Sequence, residues 1–190
     1  MGNIVLSRSM QLKIKNEVRT KERIIWSDKP RPTSLARRGI PLAIFGIPWT
    51  AFSVFWVFAA SGFSFPSFSK GWDFFPLFGI PFVLIGFGLL SAPLWMGLRA
   101  NKTAYVLTDK RAIIFRKSHG KYIVKDYLPH QLQDVYREEN DGGSGDVIFF
   151  EENKSNDDNT LTKAVGFLGI DDVKAVEDLV KDLASTDIKD

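Results

Sequence analysis

The feature that most constrains this chain is the block from Gly39 to Leu98, where sixty consecutive residues hold only two charges, Lys70 and Asp73. Within it, "GIPLAIFGIPWTAFSVFWVFAA" (Gly39–Ala60) runs 22 residues without a charge. As a helix it reaches about 33 Å, against a hydrocarbon core of about 30 Å. "FFPLFGIPFVLIGFGLLSAPLWMGL" (Phe74–Leu98) is 25 residues and again uncharged. Both exceed an ordinary buried helix, so the spacing predicts two transmembrane helices. The connection Ser61–Asp73 is short and rich in Gly, Ser, Pro and aromatic residues, which makes the pair an antiparallel hairpin with both chain ends on one side.

Charge predicts which side. Residues 1–38 carry ten Lys/Arg against three Asp/Glu, and residues 99–190 carry fourteen against eighteen. Arg37 and Arg38 abut the first span and Arg99 and Lys102 follow the second, while the connection holds only Lys70. The positive-inside rule then puts both termini in the cytoplasm. The resulting division is a basic N-terminal segment 1–38, a transmembrane hairpin 39–98 and a cytoplasmic domain 101–190. A basic stretch beside an apolar span is explained by topology, so the sequence pI of about 9.1 is no argument for nucleic acid. The first residues do not read as a signal peptide, because Arg8, Lys13, Lys15 and Arg19 interrupt any apolar core. "MGNIVLS" misses the myristoylation pattern, its hydroxyl arriving at Ser7.

Prolines (Pro41, Pro48, Pro76, Pro81, Pro93) and glycines (Gly46, Gly79, Gly86, Gly88, Gly97) punctuate the spans. A transport pathway calls for polar or ionisable groups at depth, and the spans offer only Thr50, Ser53 and Ser91. They read as an anchor, with Gly86, Gly88, Trp49 and Trp56 the candidates for packing against a partner in the bilayer.

After the spans the pattern changes to short β-type runs. "TAYVL" and "AIIFR" flank the corner Thr108-Asp109-Lys110-Arg111, and "KYIVKDYL" (Lys121–Leu128) follows the turn Ser118-His119-Gly120. "QDVYREE" (Gln133–Glu139) and "DVIFFEE" (Asp146–Glu152) flank a Gly-rich turn, and "AVGFLGI" (Ala164–Ile170) closes the series. Asp171 is placed to cap a helix whose Val173, Val176, Val180 and Leu183 form one apolar face. The N-terminal arm, with Met10, Leu12 and Ile14 alternating among basic residues, fits either an added strand or a membrane-surface segment.

Antiparallel strands followed by one terminal helix look like the pleckstrin-homology (PH) fold. "ERIIWSDKP" before the first span, "YVLTDKRAIIF" after the second and "GFLGIDDVKAVEDLV" near the end resemble the bacterial PH-like membrane proteins. Glu22, Ile24, Ile25, Trp26 and Pro30 match that family's segment before the spans, with Lys21 standing where it has Gly. Tyr105, Leu107, Thr108, Asp109 and Arg111 match its first hairpin. The resemblance covers about residues 21–184 and implies an α+β membrane protein: a helical hairpin plus a PH-like antiparallel sheet or barrel capped by a C-terminal helix.

Little in the sequence points to catalysis. With no cysteine, His119 and His130 have no ligand-spaced companions for a metal. Ser118-His119 are neighbours expected to point apart, and no orienting acid is implied. "DGGSGD" lacks the Lys-Ser/Thr of a phosphate loop and is flanked by carboxylates, so it reads as a hairpin turn. No cofactor is called for. What stands out is the basic set Lys102, Lys110, Arg111, Arg116, Lys117 and Lys121. By resemblance to PH domains, Lys110, Arg111 and Lys121 are the candidates for anionic lipid headgroups, and Lys102, just after the second span, joins them. The expectation is a membrane-anchored, non-enzymatic adaptor or accessory subunit of a larger membrane complex. Its alternative is an anionic-lipid sensor.

Overall fold

The computed structural model describes residues 7–63, 78–156 and 159–186, with backbone alone at residues 154–156 and 159–161. The chain divides into two units, Met1–Ser34 with Leu98–Asp190, and Leu35–Gly97. The elements of the first are α1 (Arg8–Glu17), β1 (Ile24–Asp28), β2 (Thr103–Thr108), β3 (Ala112–Ser118), β4 (Lys121–Tyr127), β5 (Tyr136–Glu139), β6 (Gly145–Asn156), β7 (Asn159–Ile170) and α6 (Val173–Thr186). Between β1 and β2 the chain forms α2 (Pro32–Arg37), α3 (Ile40–Ala60), α4 (Ile80–Leu90) and α5 (Ala92–Ala100). The helical unit is thus an insertion between two paired strands.

Two antiparallel sheets build the first unit, one ordered β1-β2-β3-β4 and the other β5-β6-β7. β2 is apolar almost throughout because both its faces are covered. Tyr105 and Leu107 enter the main core with Phe149, Phe167 and the apolar side of α6, while Ala104 and Val106 turn to a second core with Met10 and Ile14 of α1. α6 buries Val173, Val176, Val180 and Leu183, the face expected from their spacing.

The N-terminal segment is therefore not a separate arm. It supplies α1 and the edge strand β1, whose Ile24 pairs with Thr108. Nor does it alternate as a strand: Met10 and Ile14 are one helical turn apart and both buried, whereas Leu12 is exposed. Asp172, at φ 49°, takes the capping position expected of Asp171 and accepts the Ala175 N–H, while Asp171 pairs with Arg31 at 3.0 Å. β5 is shorter than its sequence run, since Val135 turns into the core before pairing begins at Tyr136.

In the second unit α3 has 21 residues and is long and apolar enough to cross a membrane. The other expected span is not one straight helix. α4 and α5 meet at Ser91 with a bend of 47°. Pro93 has no N–H to give Leu89 and its ring crowds that carbonyl, so the helix breaks at Ser91, between the two. Residues 74–77 of that span, and most of the connection Ser61–Asp73, lie outside the described residues.

Candidate functional site

The turn between β2 and β3 holds a buried charge cluster. Arg111 forks onto Glu22, Nε donating to Oε1 at 2.9 Å and Nη2 to Oε2 at 3.1 Å. Its Nη1 reaches Asp126 at 3.0 Å and its Nη2 the Glu17 carbonyl at 3.2 Å. Thr108 Oγ1 donates to Glu22 at 2.8 Å and itself accepts the N–H groups of Lys110 and Arg111. Burial opposes ionisation of Glu22, but hydrogen bonds from Arg111, the Arg19 N–H and Thr108, with the guanidinium charge, hold its carboxyl at about 2. Hydrogen bonding to Glu22 outweighs burial and keeps Arg111 firmly protonated. Arg111 is thus fully engaged and its side chain only 8% exposed, which removes it from the headgroup candidates.

Strand register separates the remaining candidates. Lys110 sits in the β2–β3 turn, beside Asp109, which ties Arg23. Lys102 and Lys121 lie at the opposite end, about 17 Å away along a six-residue strand. There the Lys117 N–H donates to the Lys102 carbonyl, Arg116 pairs with Thr103 and Lys121 with Ser118. This end is basic without compensation: residues 99–108 and 110–125 contain no carboxylate. Among the described residues Lys102, Arg116, Lys117 and Lys121 enter no ion pair. Lys117 lies over the Tyr122 ring, 5.2 Å from its centroid. Four cations therefore share one strand end, two of them different from those picked by sequence. Counting the hairpin register from the corner at Asp109 would have grouped them.

At the same end His119 adopts φ 47°, which brings Nδ1 within 3.1 Å of Ser118 Oγ, so these neighbours meet rather than point apart. Both are surface groups of a turn. Among the described residues no group of three or more potential metal ligands gathers, at His119, His130 or elsewhere. The Gly-rich loop closes a hairpin: Asn140 N–H and Nδ2 both donate to the Ser144 carbonyl, and Gly143 passes its own carbonyl to the first N–H of α6.

In the helical unit α3 and α4 pack antiparallel along a seam of small residues. A Cβ on Gly46 would meet Leu89, one on Gly86 would lie 2.3 Å from Thr50 Oγ1, and one on Gly79 would strike Val57. Along α3 the seam runs Ala43, Gly46, Thr50, Ser53, Val57, Ala60, alternating three- and four-residue steps. Gly86 is therefore spent inside this pair, while Gly88 faces open space. Trp49 and Trp56 line a cavity of about 280 Å³ with Phe52, Phe78 and Phe82, and Trp49 Nε1 donates to the Phe82 carbonyl. Away from the seam, Phe45, Ile47, Phe52 and Phe55 are each more than half exposed.

Comparison with protein-family models, with curated proteins and with solved structures finds no match for this chain.

Proposed function

We propose that the protein is a membrane-anchored PH-like module that works by docking, as an adaptor or accessory subunit of a larger assembly in a bacterial inner membrane. The observation that carries the reading is the insertion of an apolar helix pair between β1 and β2. A bilayer is the environment that covers side chains such as Phe52 and Phe55, since soluble surfaces rarely leave so much apolar area open. Both spans of the hairpin cross, the second through its bend, and Arg37, Arg38, Arg99 and Lys102 hold the two chain ends at the cytoplasmic side. The PH-like assignment is supported by the order of a four-stranded sheet, a three-stranded sheet and a terminal helix.

Docking is favoured over chemistry because the buried ionisable groups are consumed in structure. Glu22 and Arg111 tie β1 to the β2–β3 turn. Glu177 of α6 takes Lys181 at 2.7 Å and Arg137 of β5. The test is mild detergent extraction of the native protein, followed by sizing and mass spectrometry. A membrane protein travelling with it at fixed stoichiometry is the expected result. A lone chain under every mild condition refutes the adaptor.

The uncompensated basic end supports a second, compatible reading, contact with anionic headgroups. Lys102 follows Leu98 by four residues, at most about 14 Å of chain, and each cation near an anionic surface contributes about 1 kcal/mol. In this reading Lys102, Arg116, Lys117 and Lys121 carry the contact.

A further inference from the structure

We propose that the docking surface is a slot between β4 and β6, and that its occupant is an extended segment of a partner protein; this rests on the docking reading above. Among the described residues β4 is the last strand of its sheet and pairs only with β3. β5 pairs β6 only from Gly145 to Ile148, so among the described residues β6 from Phe149 onward has β7 on one side and no strand on the other. These two unpaired edges line the same groove, of about 260 Å³, whose walls are Val124, Lys125, Asp126 and Tyr127 of β4 and Phe150 and Glu152 of β6, with Asp126 already held by Arg111 at 3.0 Å.

The chemistry of the walls selects the occupant. Free strand edges present rows of backbone N–H and C=O groups, which an extended polypeptide satisfies and a small molecule does not. The floor is apolar: the Tyr127 ring stands edge-on to Phe149 and Phe150 at 5.5 and 5.7 Å, and Val165 of β7 closes it. Lys125 and Glu152 sit on opposite walls, and neither enters an ion pair among the described residues. A fitting segment therefore places an apolar side chain on the floor, an acidic residue toward Lys125 and a basic one toward Glu152. Lys121 and Lys125 also discourage pairing of β4 with another copy of itself, since like charges would be brought together. A partner of complementary charge meets no such penalty.

The probe is a random twelve-residue peptide display library, selected against the full chain in lipid nanodiscs. The expected winners alternate apolar and charged residues and, when bound, slow amide exchange in residues 121–127 and 149–153. The chain contains no native cysteine, so Lys125→Cys with Glu152→Cys can be bridged by a bismaleimide after folding, which leaves folding itself untouched. Bridging is expected to weaken the selected peptide by about tenfold or more. Failure to enrich any peptide, protection confined to another surface, or a wild-type dimer paired through β4 overturns the slot. A natural partner that co-extracts equally with bridged and unbridged protein also overturns the slot while leaving the docking reading intact; absence of any partner overturns that reading instead.

Discussion

Glu22 and Arg111 are separated by 89 residues of sequence and joined by a fork of two hydrogen bonds, with both side chains almost wholly buried. The pair ties the chain just ahead of β1 to the turn after β2, at the end of the β1–β2 ladder opposite to the one where the helical unit is inserted. Removing one partner leaves the other as an uncompensated buried charge, which costs about 3–5 kcal/mol. Arg111→Met is therefore expected to be severely destabilising in denaturation of the detergent-solubilised protein. Arg111→Lys is expected to fail almost as badly, because an ammonium cannot fork onto Glu22 while reaching Asp126. The double change Glu22→Leu with Arg111→Met should recover much of the loss; a double variant as unstable as the sum of the singles contradicts this account.

The same pair sets an acid limit. Glu22 has a folded-state value of about 2 against an ordinary 4.5. A depressed carboxyl contributes stability that is complete above its unfolded value and is lost as pH falls toward its folded one. The contribution is of the order of 3 kcal/mol, and it should fade between about pH 4.5 and pH 2. Glu22→Gln, unable to ionise, is expected to be less stable at pH 7 and to show a flatter stability curve across that window. Parallel curves for the two proteins would exclude Glu22 as the titrating group.

These two residues also show how far the sequence could be read. The runs between Thr103 and Tyr127 were legible as β-branched and aromatic stretches bounded by turn residues, and the apolar face of α6 by its three- and four-residue spacing. β1 was visible only as "ERIIW", since its partner β2 lies beyond the whole inserted unit and local periodicity carries no information on such pairing. Arg111 reads as a surface residue because a charged corner normally faces water; nothing near it in sequence announces Glu22. α1 was ambiguous because Leu12, between Met10 and Ile14, lets one triplet fit either period. The break at Ser91 follows from Pro93, a signal that was present and is outweighed, in any count of apolar residues, by the continuity of the run.

The helix seam separates two glycines that look alike in sequence. Gly86→Leu puts a side chain where even a Cβ would overlap Thr50, and is expected to cost about 1–3 kcal/mol through overpacking. Gly88→Ala meets nothing within 4 Å and should be neutral or stabilising by up to about 1 kcal/mol. Thermal unfolding in detergent distinguishes them. If an intramembrane partner docks on the Gly88 side, Gly88→Leu should leave this melting curve unchanged and still release the partner on extraction.

The basic strand end makes the last prediction. Ser118 ends β3, next to Lys117 and paired with Lys121, and with no native cysteine in the chain Ser118→Cys provides a single labelling site there. In nanodiscs of zwitterionic lipid, reaction with a membrane-impermeant maleimide should be fast. In nanodiscs rich in phosphatidylglycerol it should slow by several-fold, because Lys102, Arg116, Lys117 and Lys121 draw that end onto the headgroups, each cation contributing about 1 kcal/mol. Raising salt to about 1 M shortens the screening length to about 3 Å and should abolish the difference. Lys117→Glu with Lys121→Glu should abolish it at low salt, whereas Lys110→Glu, at the far end of the same strands, should not. Equal labelling in both lipids at low salt would remove the headgroup contact and leave the four cations free to meet an acidic protein surface.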